Sequence, residues 1–214
     1  MPSMGAFTGF PPEGPAFYAD LELNNSKEWW TGHKDVYERT VRGPMTSLLD
    51  ELSGEFGEAK AFRPYRDVRF SKDKSPYKTH QGGFAQTAQG IGYYLHLDAD
   101  GLTVGGGYHS HTPAQVARYR GAVDAPSSGA ELDAIVGALR SAGFAIDGER
   151  LKSVPREYPR DHPRGELLTY KSLTAGKAYG IPVWLGTPDA LAHVRSAWSG
   201  LRPLVEWLTD HVGG

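Results

Sequence analysis

The segment IGYYLHLDADGLTVGGGYH, residues 91–109, constrains the chain more than any other. Ile91, Tyr93, Leu95 and Leu97 alternate with Gly92, Tyr94, His96 and Asp98, and Asp100-Gly101 follows them. A period of two sends successive side chains to opposite faces of a pleated strand, and an Asp-Gly pair supplies tight-turn backbone, so the segment predicts a β-hairpin. With Asp100 and Gly101 as the loop residues, Ala99 pairs with Leu102, His96 lies opposite Gly105 and Tyr94 opposite Gly107. Two aromatic rings then face missing side chains, which leaves room for a backbone, a neighbouring ring or a ligand.

Elements that would cover such a hairpin are readable on both sides of it. Asn25 followed by Glu28 has the spacing of an N-cap and its reciprocal acid, and Trp29, Trp30, His33, Val36, Tyr37 and Val41 recur at helical intervals, predicting a helix over about 26–42. The adjacent Trp29 and Trp30 cannot point the same way, so at least one enters the core. Gly43-Pro44 should break that helix and start another through Met45, Leu48, Leu49, Leu52 and Phe56, ended by Gly57. Phe62, Arg66, Val68 and Phe70 then share alternate positions, predicting a strand. Beyond the hairpin, Thr112-Pro113 opens a helix through Val116, Tyr119 and Val123, and 127–143 carries Leu132, Ile135, Val136 and Leu139 at helical spacing. Residues 144–165 read as irregular, with a short strand pair around Asp147-Gly148 and Asp161 placed to cap a helix. Thr187-Pro188 heads a last helix to Leu208, with Gly200 and Pro203 expected to kink or split it.

These elements predict an α+β fold, one domain over 1–214, with a mainly antiparallel sheet packed by helices. A chain of 214 residues can bury a sizeable core, and with no cysteine it must do so without disulfides. The missing thiols also exclude thiolate chemistry and cysteine-ligated metal, and fit a reducing compartment. No basic start with an apolar run stands at the N-terminus, and no apolar stretch has a membrane span's length, so the expectation is a soluble cytoplasmic protein without a membrane partner.

Charge is placed unevenly. Residues 60–80, KAFRPYRDVRFSKDKSPYKTH, hold seven cations (Lys60, Arg63, Arg66, Arg69, Lys72, Lys74, Lys78) against Asp67 and Asp73, a local +5 in a chain of net −2, so the remainder carries −7. Concentrated positive charge calls for an anionic partner. The first reading is a pocket for a phosphorylated or carboxylated small molecule, built by Arg66, Arg69, Lys72, Lys74, Tyr77, Lys78 and His80, since guanidinium forks and ammonium groups both hold oxyanions. Arg66 on an apolar strand face would alternatively be structural, paired to Glu28 or Asp35. The second reading is an interaction module in which the same segment meets an acidic protein or a nucleic acid. A net charge of −2 and a pI of about 6.4 weigh against nucleic acid. The third is catalysis, for which His80, His96 and Tyr94 are the proton-transfer candidates. No nucleophile elbow, phosphate loop or dinucleotide fingerprint accompanies them, and the sequence names no cofactor. His109 and His111, two apart on a predicted strand, are the metal-ligand candidates, with His80 or His96 available to complete a set. His33 and His193, beside Trp and Leu on helices, read as packed or surface residues.

FTGFP, NNSKEWW with HKDVY, DVRFSKDKSPYKTH, GYYLHLDADG with VGGG, and LKSVPREYPRDHP occur in that order. Together they resemble the family known as domain of unknown function 2461, over about 7–212. The resemblance implies an intact single domain and draws attention to the basic run; it implies no reaction, cofactor or partner. His109-Ser110-His111 is not part of the pattern.

Overall fold

A computed structural model of the chain describes residues 6–69, 71–109 and 112–213. Helices α1 (Glu13–Asn24), α2 (Lys27–Tyr37) and α3 (Gly43–Phe56) precede strands β1 (Ala59–Ala61), β2 (His80–Ala88), β3 (Ile91–Asp98) and β4 (Gly101–Tyr108). Helices α4 (Pro113–Asp124) and α5 (Pro126–Ser141), strand β5 (Ala145–Asp147), helix α6 (Gly165–Thr169), strand β6 (Leu173–Gly180) and the long α7 (Asp189–Val212) complete the chain. The strands form a six-stranded antiparallel sheet in the order β1-β2-β3-β4-β6-β5, and the fold is α+β. No helix among the described residues is long and apolar enough to cross a membrane.

Contacts gather into two compact units, each made of several chain segments. The first holds residues 1–85, 94–104 and 178–196. Its core joins Phe17, Tyr18 and Leu21 of α1, Trp30 and Tyr37 of α2, and Met45, Leu48, Leu49 and Leu52 of α3 with Leu95, Leu97, Leu102 and Val104. Helix α3 lies close against β2: a Cβ on Gly83 would stand 2.7 Å from Leu49 Cδ1, so the helix packs where the strand has no side chain. The second unit holds residues 86–93, 105–177 and 197–214. There Tyr119, Leu132, Val136, Leu168 and Leu173 are buried, as are Trp198, Leu201, Leu204 and Leu208 of α7. Arg164 fastens α6 to the end of α4 by donating to the carbonyls of Val123 at 2.7 Å and Asp124 at 2.9 Å.

Several local expectations are corrected. The cap of α2 is Ser26, whose Oγ accepts from Trp29 N at 3.2 Å, and Asn25 is used elsewhere. Gly43-Pro44 does not break the helical path, because a π-turn over Glu38–Arg42 joins α2 to α3. Proline has no N–H to donate, and a widened turn ahead of it absorbs the mismatch without ending the helix. The strand expected through Phe62, Arg66 and Val68 is absent, and Phe70 lies outside the described residues. The short strand at Asp147 pairs with distant β6, Ala145 with Gly176 and Asp147 with Thr174, and makes no local hairpin. Arg164 rather than Asp161 precedes α6, and α7 runs through Gly200 and Pro203 as one helix.

The hairpin itself forms, but β3 ends at Asp98 and β4 begins at Gly101, so Ala99 and Asp100 make the turn. The loop is thus one residue earlier than Asp100-Gly101, and the pairings built on that loop do not hold. Gly105 and Gly107 meet backbone, with a Cβ there standing 3.0 Å from Ala175 O and 2.3 Å from Leu173 O. Strands β2 and β6 were not legible at all.

Candidate functional site

The path of the basic run is decided by two prolines. Tyr65 and Tyr77 form an isolated antiparallel bridge, in which Arg66 N donates to Pro76 O at 3.0 Å and Lys78 N to Pro64 O at 2.8 Å. Neither Pro64 nor Pro76 has an N–H, so the ladder cannot propagate and the intervening residues form a loop. Asn25 clamps the loop's return: its Nδ2 donates to Tyr77 O at 3.0 Å, and Tyr77 N donates to its Oδ1 at 3.1 Å. Tyr77, expected among the ligand-binding residues, is buried, its ring stacked on Trp30 at 4.0 Å.

Within the loop most of the charge is met by partners. Arg66 pairs with Asp73, not with Glu28 or Asp35. Asp73 also accepts from Ser75 Oγ at 2.6 Å, and this hydroxyl together with Arg66 holds its carboxyl well below the usual range. Arg69 makes a fork on Asp67, Nη2 to Oδ2 at 2.6 Å and Nε to Oδ1 at 3.0 Å, and depresses that carboxyl too. Lys74 Nζ donates to Val68 O at 2.9 Å, while Lys72 is exposed. These are solvent-facing pairs, of a kind worth up to about 1 kcal/mol each.

The last cation of the run has different surroundings. Lys78 is half-buried, its Nζ lies 5.3 Å from the centroid of Phe62, and among the described residues no carboxylate is within ion-pair distance of it. Burial, with a smaller contribution from Arg63, lowers its pKa. From Lys78 the chain enters β2, whose pleat puts His80, Gly82 and Phe84 on the face opposite Gly83 and α3. On β3 the same alternation separates buried Leu95 and Leu97 from half-buried Tyr94, His96 and Asp98. The two sets meet. His80 and His96 have ring centroids 5.4 Å apart, Tyr94 and His96 5.5 Å, and Phe62 and Tyr94 6.4 Å. The glycine that makes room for Tyr94 is Gly82, where a Cβ would stand 2.9 Å from Phe62 Cδ2 and 3.1 Å from the Tyr94 hydroxyl.

Burial sets the electrostatics of this cluster. Desolvation lowers the pKa of His80, helped by His96 and Lys78 and opposed by Asp98. It lowers that of His96 as well, against the pull of Asp98, whose Oδ2 stands 3.2 Å from His96 Nε2. Asp98 is itself fixed at the turn, where its Oδ1 accepts from Asp100 N at 2.9 Å. The Tyr94 phenol is pushed up to about 12 by burial and by Asp98, so it is a hydrogen-bond donor near neutral pH. Beneath, Gln81 accepts from Tyr37 at 2.5 Å and donates to Phe62 O and Gly82 O, each at 2.8 Å, tying β2 to α2. One ammonium, two imidazoles and a phenol thus share one half-buried surface. They can hold an oxyanion and exchange a proton with it.

A family model described as conserved hypothetical protein (DUF2461) matches residues 14–207. The chain belongs to this family. No curated protein and no solved structure matches it. The matched region includes the whole cluster from Phe62 to Asp98, and the family's description carries no reaction with it.

Of the residues singled out from sequence, the fold brings Lys78, His80, Tyr94 and His96 together and leaves Arg66 and Arg69 paired with acids of their own loop. Phe62, Gly82 and Asp98 were missed as members. Asp98 had a readable signal, since it stands two residues after His96 on the same strand face. Phe62 had none, because only the turn of the 62–79 loop carries it over β2. His109 N donates to Gly90 O at 3.1 Å, and His111 and Ser110 lie outside the described residues. Among the described residues no three His, Asp or Glu side chains stand together as a metal site. His33 stacks on Trp29 and His193 on Trp184, both at 4.0 Å.

Proposed function

We propose that the protein binds a small oxyanion, the phosphoryl or carboxylate group of a small molecule, at the cluster of Lys78, His80, Tyr94 and His96. The observation that carries this reading is Lys78: a cation drawn out of water, with no carboxylate within ion-pair distance among the described residues, beside two imidazoles and a phenol. An ammonium half-stripped of water and facing an aromatic ring recovers about 1 kcal/mol from that ring, less than a charge-assisted bond to an anion supplies. Sulfate should raise the melting temperature of the protein, and Lys78→Met, which keeps the packed stem, should abolish the rise. Arg69→Met should leave it intact. An unchanged rise in the Lys78 variant would remove the reading.

A second reading rests on the exposed side of the same run. Tyr65 is 50% and Phe62 37% exposed, beside exposed Arg63, Lys72 and Lys74, a surface suited to an acidic protein partner or a nucleic acid strand. Under it, salt-sensitive binding would respond to Arg63 and Lys72 and not to Lys78.

A further inference from the structure

An anion site at this cluster leaves one atom unexplained. His96 Nδ1 is buried and has no hydrogen-bond partner among the described residues. The other nitrogen, Nε2, faces Asp98 Oδ2 at 3.2 Å, and a carboxylate acceptor there places the hydrogen of a neutral ring on Nε2 and its lone pair on Nδ1. Protonating the ring would create a second N–H, buried and lacking an acceptor, which costs about 1–3 kcal/mol. The free protein therefore keeps His96 neutral, in line with its lowered pKa. An oxyanion that displaces the side chains covering Nδ1 would be the missing acceptor.

The local charges point the same way. Lys78 and Asp98 carry the formal charges of the cluster and cancel, so an entering anion would leave a net negative charge in a half-buried place. The groups facing the two imidazoles are Tyr94 and Asp98 on β3, Lys78 ahead of β2, and Arg63 acting through Lys78. Tyr18 of α1 senses Asp98, and Tyr37 of α2 binds Gln81; burial raises both phenols, so neither supplies charge near neutrality. Of these groups, only His80 and His96 can change charge between pH 5 and 8 without further perturbation.

Resting on the anion-site reading, we infer that the oxyanion enters together with a proton, taken from solvent by the His80–His96 pair, with His96 bridging Asp98 on Nε2 and the ligand on Nδ1. The two rings stand 5.4 Å apart, and uptake of about one proton between them makes the binding constant fall roughly tenfold per pH unit once both are neutral. Specificity for charged over neutral ligands then resides in the imidazoles as well as in Lys78.

Titration calorimetry with sulfate, and in a parallel series acetate, tests this, because neither anion titrates near pH 7. Heats should differ between two buffers of unlike ionisation enthalpy by the amount that about one proton per anion predicts, and the logarithm of the binding constant should fall with pH. His96→Asn, with its fold checked by circular dichroism, should lose most of the proton uptake. Asp98→Asn keeps the shape but removes both the carboxylate that holds the imidazolium and the charge that offsets Lys78. It should bind sulfate without the proton, with a flat pH profile and unreduced affinity at pH 8. Binding with equal heats in both buffers and no pH dependence would overturn the coupling while leaving the anion site standing. Absence of binding by either anion, in heat and in melting temperature, would overturn both, and tighter binding of sulfate or of acetate distinguishes a phosphoryl-like from a carboxylate ligand.

Discussion

Arg69 and Lys78 belong to one basic stretch, and their surroundings are opposite. Arg69 is 78% exposed on its side chain and forked onto Asp67, while Lys78 is half-buried over Phe62 and has no such acid among the described residues. Counting charges along the sequence gives both the same weight. Their fields differ, because a paired, solvated guanidinium is screened within a Debye length of about 8 Å, whereas a desolvated ammonium acts through a poorer dielectric. Net local charge thus pointed to the neighbourhood of the cluster without separating the cations that pair with acids of their own loop from Lys78.

Four changes test the contrast between loop and cluster. The largest effect is expected at the back of β2. Gly83→Ala would drive a methyl into Leu49, with a Cβ contact of 2.7 Å, and should lower the free energy of unfolding by about 1–3 kcal/mol in urea titration. Gly82→Ala, on the cluster face, meets the ring edges of exposed Phe62 and half-buried Tyr94 and should cost less stability while weakening anion binding. Equal losses at the two glycines would mean that the two faces are equally packed. Next, Asn25→Ala removes both bonds to the Tyr77 backbone and should cost about 1–3 kcal/mol, measured the same way. Ser26→Ala removes only the α2 cap and should cost about 1 kcal/mol.

Acidity should separate the regions by window. The histidine pKa values lie below the ordinary 6.5 in the folded state, so between that value and the folded values only the unfolded chain takes up the proton. Stability is therefore full above pH 6.5 and falls as the pH drops below it; the double change His80→Asn with His96→Asn should reduce this slope, leaving the part due to His109, whose pKa burial also lowers. Asp67 and Asp73 are depressed from 3.8, so whatever their pairs contribute is present above pH 3.8 and is lost only below it. A midpoint in urea that does not move between pH 7.5 and 5.5 would contradict the burial of the two imidazoles. The smallest effect belongs to the loop: Arg69→Met should change stability by less than about 1 kcal/mol, since exposed ion pairs rarely contribute more.

What was legible followed from periodicity strong enough to survive its surroundings. Leu48, Leu49 and Leu52 of α3, the alternation of Leu95 and Leu97, and Thr112 ahead of α4 each carry their own structural reason, and Thr112 closes a full capping box with Gln115. Strands β2 and β6 escaped because HQGGFAQTA and LTAGKAYG are polar and rich in glycine, and are held as strands by pairing with their neighbours in the sheet. The alternation of Phe62, Arg66 and Val68 misled for the converse reason: the pattern existed, but prolines on both sides of the bridge removed the donors a ladder needs. Asn25 was read as a cap because it stands beside one; its amide reaches Tyr77, far along the chain, which no local spacing announces.

The sequence by itself determined the α+β class, most helices, the central hairpin and the histidines, tyrosine and lysine that now stand together, because side-chain periodicity and turn chemistry act over a few residues. The tertiary structure decided which charges were left without partners. Pairing depends on distances between residues remote in the chain, and desolvation on everything packed around a group; neither quantity exists until the loop has closed over β2 and laid Phe62 and Lys78 beside His80, Tyr94 and His96.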